Sequence, residues 1–138
     1  MKTVVLIAGG KTNNDASDAA EHMYRGDLFK LSLDYARSLS PNAIFILSAK
    51  YGVLGLRDEI EAYDKSLKYM ALADRRDWAL RVKNRLDGLA SLSEDTFVFL
   101  TGQVCGQYLT QYMTRYDCPL MGLQYGQQLT WLKAKLSE

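Results

Sequence analysis

Ser48, Lys50 and Tyr51 place a hydroxyl, a cation and a phenol within the run SAKYG, which closes at Gly52. In an extended backbone, side chains two residues apart face the same way, so Ser48 and Lys50 can share a face. A serine beside a lysine is one way of activating a nucleophile. The same groups suit ligand contact, with Tyr51 stacking on a base. The plainer alternative has Ser48 capping a turn, Lys50 on the surface and Tyr51 sealing the core.

An acidic segment follows, with Asp58, Glu59, Glu61 and Asp64. A carboxylate there can serve as a general base, a nucleophile or an acceptor for a sugar hydroxyl. Asp64 and Glu61, with Lys50, are therefore the candidate catalytic residues. Helix capping by Asp64 would use the same charge. No spacing pairs two carboxylates, so no hydrolase geometry follows.

Further polar segments contain glycine. In AGGKTNN, Gly9 and Gly10 let backbone N–H groups face an anion, with Lys11 close by. A tight strand-to-helix turn needs the same glycines. The spacing matches neither GxxxxGK[ST] nor GxGxxG. In TGQVCGQY, Thr101, Gly102, Gln103 and Gly106 allow a phosphate or ribose to approach free N–H groups at a helix start. Gln124, Gln127 and Gln128 either read a base edge or decorate a helix. Cys105 and Cys118 form no CxxC, and His22 is the single histidine. No zinc set or other metal site is expected, and no cofactor.

These residues need a scaffold. Thr3 to Ala8 is apolar after the threonine and predicts a strand buried on both faces. Helix is predicted in two pieces between Ser17 and Leu39, stopped by Ser40-Pro41-Asn42. Ala43 to Leu47 is the second strand, and Thr96 to Leu100 the third. A basic helix is predicted over Lys68 to Leu89. Cys105, Tyr108, Leu109, Tyr112, Met113 and Tyr116 have helical spacing and predict an amphipathic helix. Cys118 to Met121 is a short fourth strand, and Tyr125 to Leu136 a closing helix. Alternating strands and helices imply a three-layer, Rossmann-like α/β domain with a mostly parallel sheet of about four or five strands. Its strand C-termini then share one edge, where open sheets bind ligands. Gly9–Asn14, Ser48–Gly52, Thr101–Gln107 and Gly122–Gln128 are all expected at that edge.

The chain has 138 residues, which suits one domain with a real core. Its net charge of +1 marks neither a polyanion binder nor an acidic mimic. Charge is uneven, however. Lys65 to Arg85 holds seven basic residues against two acidic ones. That stretch can touch nucleic-acid phosphates or be a solvated helix face. The opening MKTVVLIAGG reads as a strand rather than a secretion signal. The two cysteines, outside any CxxC, fit a reduced, cytoplasmic location, and no apolar run approaches the roughly 20 residues of a membrane span, so no membrane partner is expected.

Several pieces together resemble a family of small, uncharacterised bacterial and phage proteins, the DUF6884-like family, related to the YaaA-like proteins of peroxide stress. The pieces are AAEHMYRGDLF from Ala19, LSAKYGVL from Leu47, IEAYD from Ile60, and the closing GQYLTQY and GLQYGQQLTWL. The resemblance spans nearly the whole chain and is most specific in LSAKYG followed by YD. It implies functional weight on Lys11, Tyr24, Phe29, Ser48, Lys50, Tyr51, Gly52, Tyr63 and Asp64, and further on Gly106 and Gly126. It also implies links to oxidative-stress protection, to DNA, and to nucleotides or modified bases. Where that family often carries a cysteine after the first strand, this chain has Gly9-Gly10. Any activity at that loop would then be independent of cysteine.

The leading expectation is a protein that binds a nucleotide, nucleoside or modified base, with possible action on an N-glycosidic or phosphate linkage. Lys11 and Lys50 would hold phosphate. Tyr51 or Tyr24 would stack on the base, and Asp64 or Glu61 would handle the sugar. The alternative is a non-enzymatic nucleic-acid-binding protein that uses the basic helix. A homo-oligomer is compatible with either.

Overall fold

The computed structural model describes residues 1–9, 17–102 and 107–138. The described strands are β1 (Thr3–Ala8), β2 (Asp18–Ala19), β3 (Ala43–Ser48), β4 (Gly52–Gly55), β5 (Glu59–Ile60), β6 (Thr96–Leu100) and β7 (Arg115–Asp117). Described helices include α1 (Ala20–Met23), α2 (Asp27–Ser38), α3 (Leu72–Asp87) and α4 (Tyr125–Leu136). Short 3-10 turns cover Leu67–Tyr69 and Thr110–Tyr112.

The central sheet has five strands in the order β4-β3-β1-β6-β7. β3, β1, β6 and β7 are parallel, and β4 is an antiparallel edge strand. Alternate residues of the central strands feed two apolar clusters, as the period-2 geometry of a strand requires. Val4, Leu6, Leu47, Phe97 and Phe99 pack with Trp78, Val82 and Leu86 of α3. Val5, Ile7, Ile46 and Leu100 pack with Phe29, Leu33 and Ala36 of α2 and Leu132 of α4. Burial on both faces explains the solid apolar runs of β1 and β6.

Several boundaries differ from expectation, for identifiable reasons. SAKYG ends β3 as expected, but it also turns the chain back into β4. Gly52 makes that turn with φ 77°, a conformation that disfavours side chains. The amphipathic helix expected to run on to Tyr116 does not extend that far. Its described part has Gln107 in helix, then the 3-10 turn Thr110–Tyr112 and β7. Leu109 and Met113 are still buried, so the apolar spacing serves a turn over the sheet instead of a long helix. Pairing with β6 then gives the backbone of β7 a hydrogen-bonded ladder. The short fourth strand is thus Arg115–Asp117 and not Cys118–Met121. All three of its residues are exposed, so it has no apolar signature. α3 begins at Leu72, behind a 3-10 turn and with Ala71 at its N-cap, so Asp64 does not cap it.

A second, two-stranded sheet pairs β2 with β5, matching Asp18 to Ile60 and Ala19 to Glu59. Ala20 and Glu21 N–H groups extend it by donating to the carbonyls of Asp58 (2.7 Å) and Leu56 (2.9 Å). Asp58 itself closes the Gly55–Asp58 turn, its carboxylate accepting from Gly55 N–H at 2.8 Å. One of the four acids is therefore structural. No described helix is long and apolar enough to cross a membrane.

Asp95 ties the far end of the sheet. Its carboxylate accepts from the backbone N–H of Lys2 and of Ser91, each at 2.8 Å. The Ser91 and then the Lys2 hydrogen bond hold its carboxyl below the ordinary 3.8. A depressed carboxylate stabilises the fold above the ordinary value, and that contribution disappears as pH falls through the lower folded value. Asp95→Asn should therefore lower stability at neutral pH and flatten the acid limb. Urea unfolding across the acid range checks this; an acid limb unchanged in the variant contradicts it.

Candidate functional site

β1, β3 and β6 end side by side, with Ala8 level with Leu47 and Ile7 level with Leu100. The next residues are Gly9, Ser48 and Thr101, so these sit at the C-terminal edge of neighbouring strands. Adjacent strands lie about 4.8 Å apart, which places the three within roughly 10 Å across the edge. Gly9 N–H donates to Leu47 O at 3.0 Å, prolonging the β1–β3 ladder to the rim.

Ser48 is fully buried and is held on both sides. Its carbonyl accepts the indole N–H of Trp78 from α3 at 2.9 Å. Its hydroxyl accepts the backbone N–H of Lys50 at 3.2 Å and of Tyr51 at 3.0 Å. It donates to the Tyr63 phenol at 2.8 Å. The Tyr63 oxygen is in turn 2.7 Å from that of Tyr24. Three hydroxyls from remote segments thus form one chain, Ser48–Tyr63–Tyr24.

The rings pack as tightly as the hydroxyls. Tyr63 meets Tyr51 edge-on at 5.7 Å and Tyr24 at 6.4 Å, and Tyr24 lies 5.2 Å from Phe29. Tyr51 is 37% exposed, and Lys50 Nζ stands 5.1 Å from its ring centroid. Such a cation–aromatic contact is worth about 0.5–1 kcal/mol at an exposed site. Tyr51 OH also receives Glu61 N–H at 3.3 Å, drawing the acidic segment to the rim. Burial first, then the Tyr63 hydrogen bond, pushes the Tyr24 phenol well above the ordinary phenol range. Burial also raises Tyr63, against the opposing hydrogen bonds from Ser48 and Tyr24.

Gly9 is required here by space. A Cβ on it would lie 2.8 Å from Tyr24 Cζ and 3.0 Å from Tyr24 OH. The Tyr24 ring is buried and pinned by Tyr63 and Phe29, so it cannot yield cheaply.

Gly9, Tyr24, Ser48, Lys50, Tyr51, Gly52 and Tyr63 are thus brought together or hold the turn between them. Glu61 and Asp64 flank Tyr63 in sequence, and both are exposed. Thr101 is buried at the same edge, and its hydroxyl has no hydrogen-bond partner among the described residues. Leaving such a group unsatisfied costs about 1–3 kcal/mol. Gly102 follows it with open space where a Cβ would stand. Gln124 and Gly126 line a groove of ≈ 570 Å³ with Trp131. Gln124 caps α4 in a reciprocal bond with Gln127, whose side chain accepts Gln124 N–H at 2.9 Å. Gly10, Lys11, Gln103, Cys105 and Gly106 lie outside the described residues.

Sequence reasoning gave no hint of Trp78 as a site residue, because its spacing reads as core. Its only distinguishing mark is an indole N–H that must find an acceptor. His22 lies 3.5 Å from the carboxylates of both Asp18 and Glu21, in a groove of ≈ 670 Å³ that Tyr24 and Phe29 also line. Among the described residues no group of histidine, cysteine and acids can hold a metal. Cys118 is a free, half-buried thiol, raised by burial and by Asp117.

Gly9→Ala should destabilise the protein by about 1–3 kcal/mol, because Tyr24 must move or the strand end must shift. Urea unfolding gives the loss, and near-UV circular dichroism should report displaced tyrosines. An alanine variant as stable as the parent, with unchanged tyrosine signals, would contradict the close approach.

No curated protein and no solved structure matches the chain. Over residues 4–134 it matches the family of unknown function DUF6884, and the chain belongs to that family.

Proposed function

We propose that the rim of β1, β3 and β6 binds a nucleotide, a nucleoside or a modified base. The observation that carries this reading is the hydrogen-bonded cluster of Ser48, Tyr63 and Tyr24 under Tyr51 and Lys50. A simple turn after a strand needs no such assembly. The half-exposed Tyr51 ring offers a stacking surface for a base. The Lys50 ammonium beside it suits a phosphate, and Glu61 and Asp64 suit sugar hydroxyls. The Thr101 hydroxyl, without a hydrogen-bond partner among the described residues, adds a buried polar group at the same edge. Ligands of open, mostly parallel sheets bind at this kind of edge. We read the two clusters around the sheet as a Rossmann-like, three-layer arrangement, and the family as kin to the YaaA-like proteins.

Action on an N-glycosidic or phosphate linkage is the extension of this reading. Such a step needs a carboxylate to stabilise charge at the sugar and a proton for the leaving base. Glu61 or Asp64 would supply the first. The nucleic-acid alternative rests on α3, where Arg76, Arg81 and Arg85 are exposed. Asp74, Asp77 and Asp87 interleave with them and dilute the positive field, so the small ligand is preferred.

Calorimetric titration with nucleobases, nucleosides and nucleoside monophosphates tests the proposal. Lys50→Ala should weaken nucleotide binding about tenfold or more while sparing nucleosides. Tyr51→Ala should weaken both by about 1–3 kcal/mol. If nothing in the panel binds, the reading fails. It fails also if DNA is retained in a salt-sensitive way that Arg81→Ala, and not Lys50→Ala, abolishes.

A further inference from the structure

We infer that the outer edge of β7 is a self-association surface, on which a second copy of this chain pairs antiparallel about Tyr116. Arg115 of each copy then faces Asp117 of the other, whether or not the proposed ligand site holds.

β7 ends the strand order, with β6 as its neighbour in the sheet. An edge strand turns a row of N–H and C=O groups away from the sheet. Among the described residues, no backbone group bonds to Arg115, Tyr116 or Asp117 from that outer side. All three residues are exposed, Tyr116 by 50%. Such an edge is a template for another strand. The opposite edge is blunted. There β4 spends its Gly55 N–H on the Asp58 carboxylate at 2.8 Å, and α3 packs against the strand.

Charge selects the occupant. Proteins often protect an edge with like charges, which repel a second copy. β7 instead carries opposite charges on either side of one tyrosine. Strand geometry puts Arg115 and Asp117 on one face and Tyr116 on the other. A two-fold axis through Tyr116 sets each Arg115 directly across from Asp117 of the second copy, with Cβ atoms about 5 Å apart. The Tyr116 rings meet on the opposite face. Moving the axis to Arg115 or to Asp117 would set like charges face to face, so the register is specified too. Arg115 donates one guanidinium N–H to Glu94 O at 2.8 Å, which steadies the side chain and leaves its other donors for a carboxylate. Asp117 makes no ion pair among the described residues. Pro119 has no N–H to give, so the pairing stops soon after Asp117. The two-fold also closes the assembly, joining the five strands of each copy into one continuous sheet.

A pairing this short buries less than the roughly 1,200 Å² of a stable complex, so the dimer is weak and reversible. Sedimentation equilibrium of the whole chain, from about 10 µM to about 1 mM at low salt, reads it. The parent should pass from monomer toward dimer as concentration rises. Arg115→Asp and Asp117→Arg should each stay monomeric over that range, because each sets like charges across the axis. Mixed in equal amounts, the two variants should associate, since every pair across the axis is then opposite in charge. Asp117→Arg breaks no ion pair of the folded chain, so it decides alone if Arg115→Asp, which loses the Glu94 contact, fails to fold. A parent that remains monomeric to about 1 mM overturns the inference. A dimer that Asp117→Arg leaves intact places the second copy on another surface and overturns it as well. So does a mixture of two folded variants that stays monomeric.

Discussion

The hydrogen bonds of Ser48 hold this protein's candidate site in place. The residue lies where β3 leaves the sheet, fully buried, with every polar atom of its side chain and its carbonyl engaged. Through Trp78 it is tied to α3 on one face of the sheet. Through Tyr63 it reaches Tyr24 on the other. The turn that presents Lys50 and Tyr51 is fixed by the same hydroxyl. A buried serine at a strand end would cost stability if any of these bonds were missing, because the low dielectric around it magnifies an unpaired group. Satisfied, it makes the rim rigid and gives the tyrosines defined positions.

The small sheet of β2 and β5 makes that network possible. Tyr24 and Tyr63 are 39 residues apart in the chain. Two-residue strands have little intrinsic stability, and isolated pairs of strands are marginal in water. These are anchored by Ala20 and Ile60, both buried, and by the Asp58 turn. Local backbone pairing and apolar burial thus bring the two phenols within hydrogen-bond distance. Gly9 then lets the Tyr24 ring lie directly on the β1 terminus. Fold and site are coupled at this point: the same contacts that close the α2 side of the core also set the tyrosine geometry.

Much of this was legible in the residues. β1 and β6 match the apolar runs Thr3–Ala8 and Thr96–Leu100 because burial on both faces leaves no ambiguity. SAKYG could be placed at the sheet edge because Gly52 and the polar residues follow a buried strand. β7 could not be read, since its three exposed residues have no apolar period and depend on the edge of β6 for definition. β2 and β5 were equally silent, being too short to form a pattern. The resemblance singled out Tyr24 and Tyr63, but their bond to each other depends on tertiary pairing that spacing does not encode. Trp78 looked like ordinary core because its apolar face dominates the pattern, while its one polar atom decides its role. Asp58 looked like a candidate acid, and its carboxylate proves to be spent on a turn.

The most direct measurement is a double-mutant cycle on stability using Ser48→Ala, Tyr63→Phe and the pair together, by urea unfolding at neutral pH. If the hydroxyl chain organises the rim, the two changes should couple by about 1 kcal/mol or more, so the double variant loses less than the two losses added. Losses that simply add would show that Ser48 and Tyr63 act independently, and the account of a single hydrogen-bonded site would not stand.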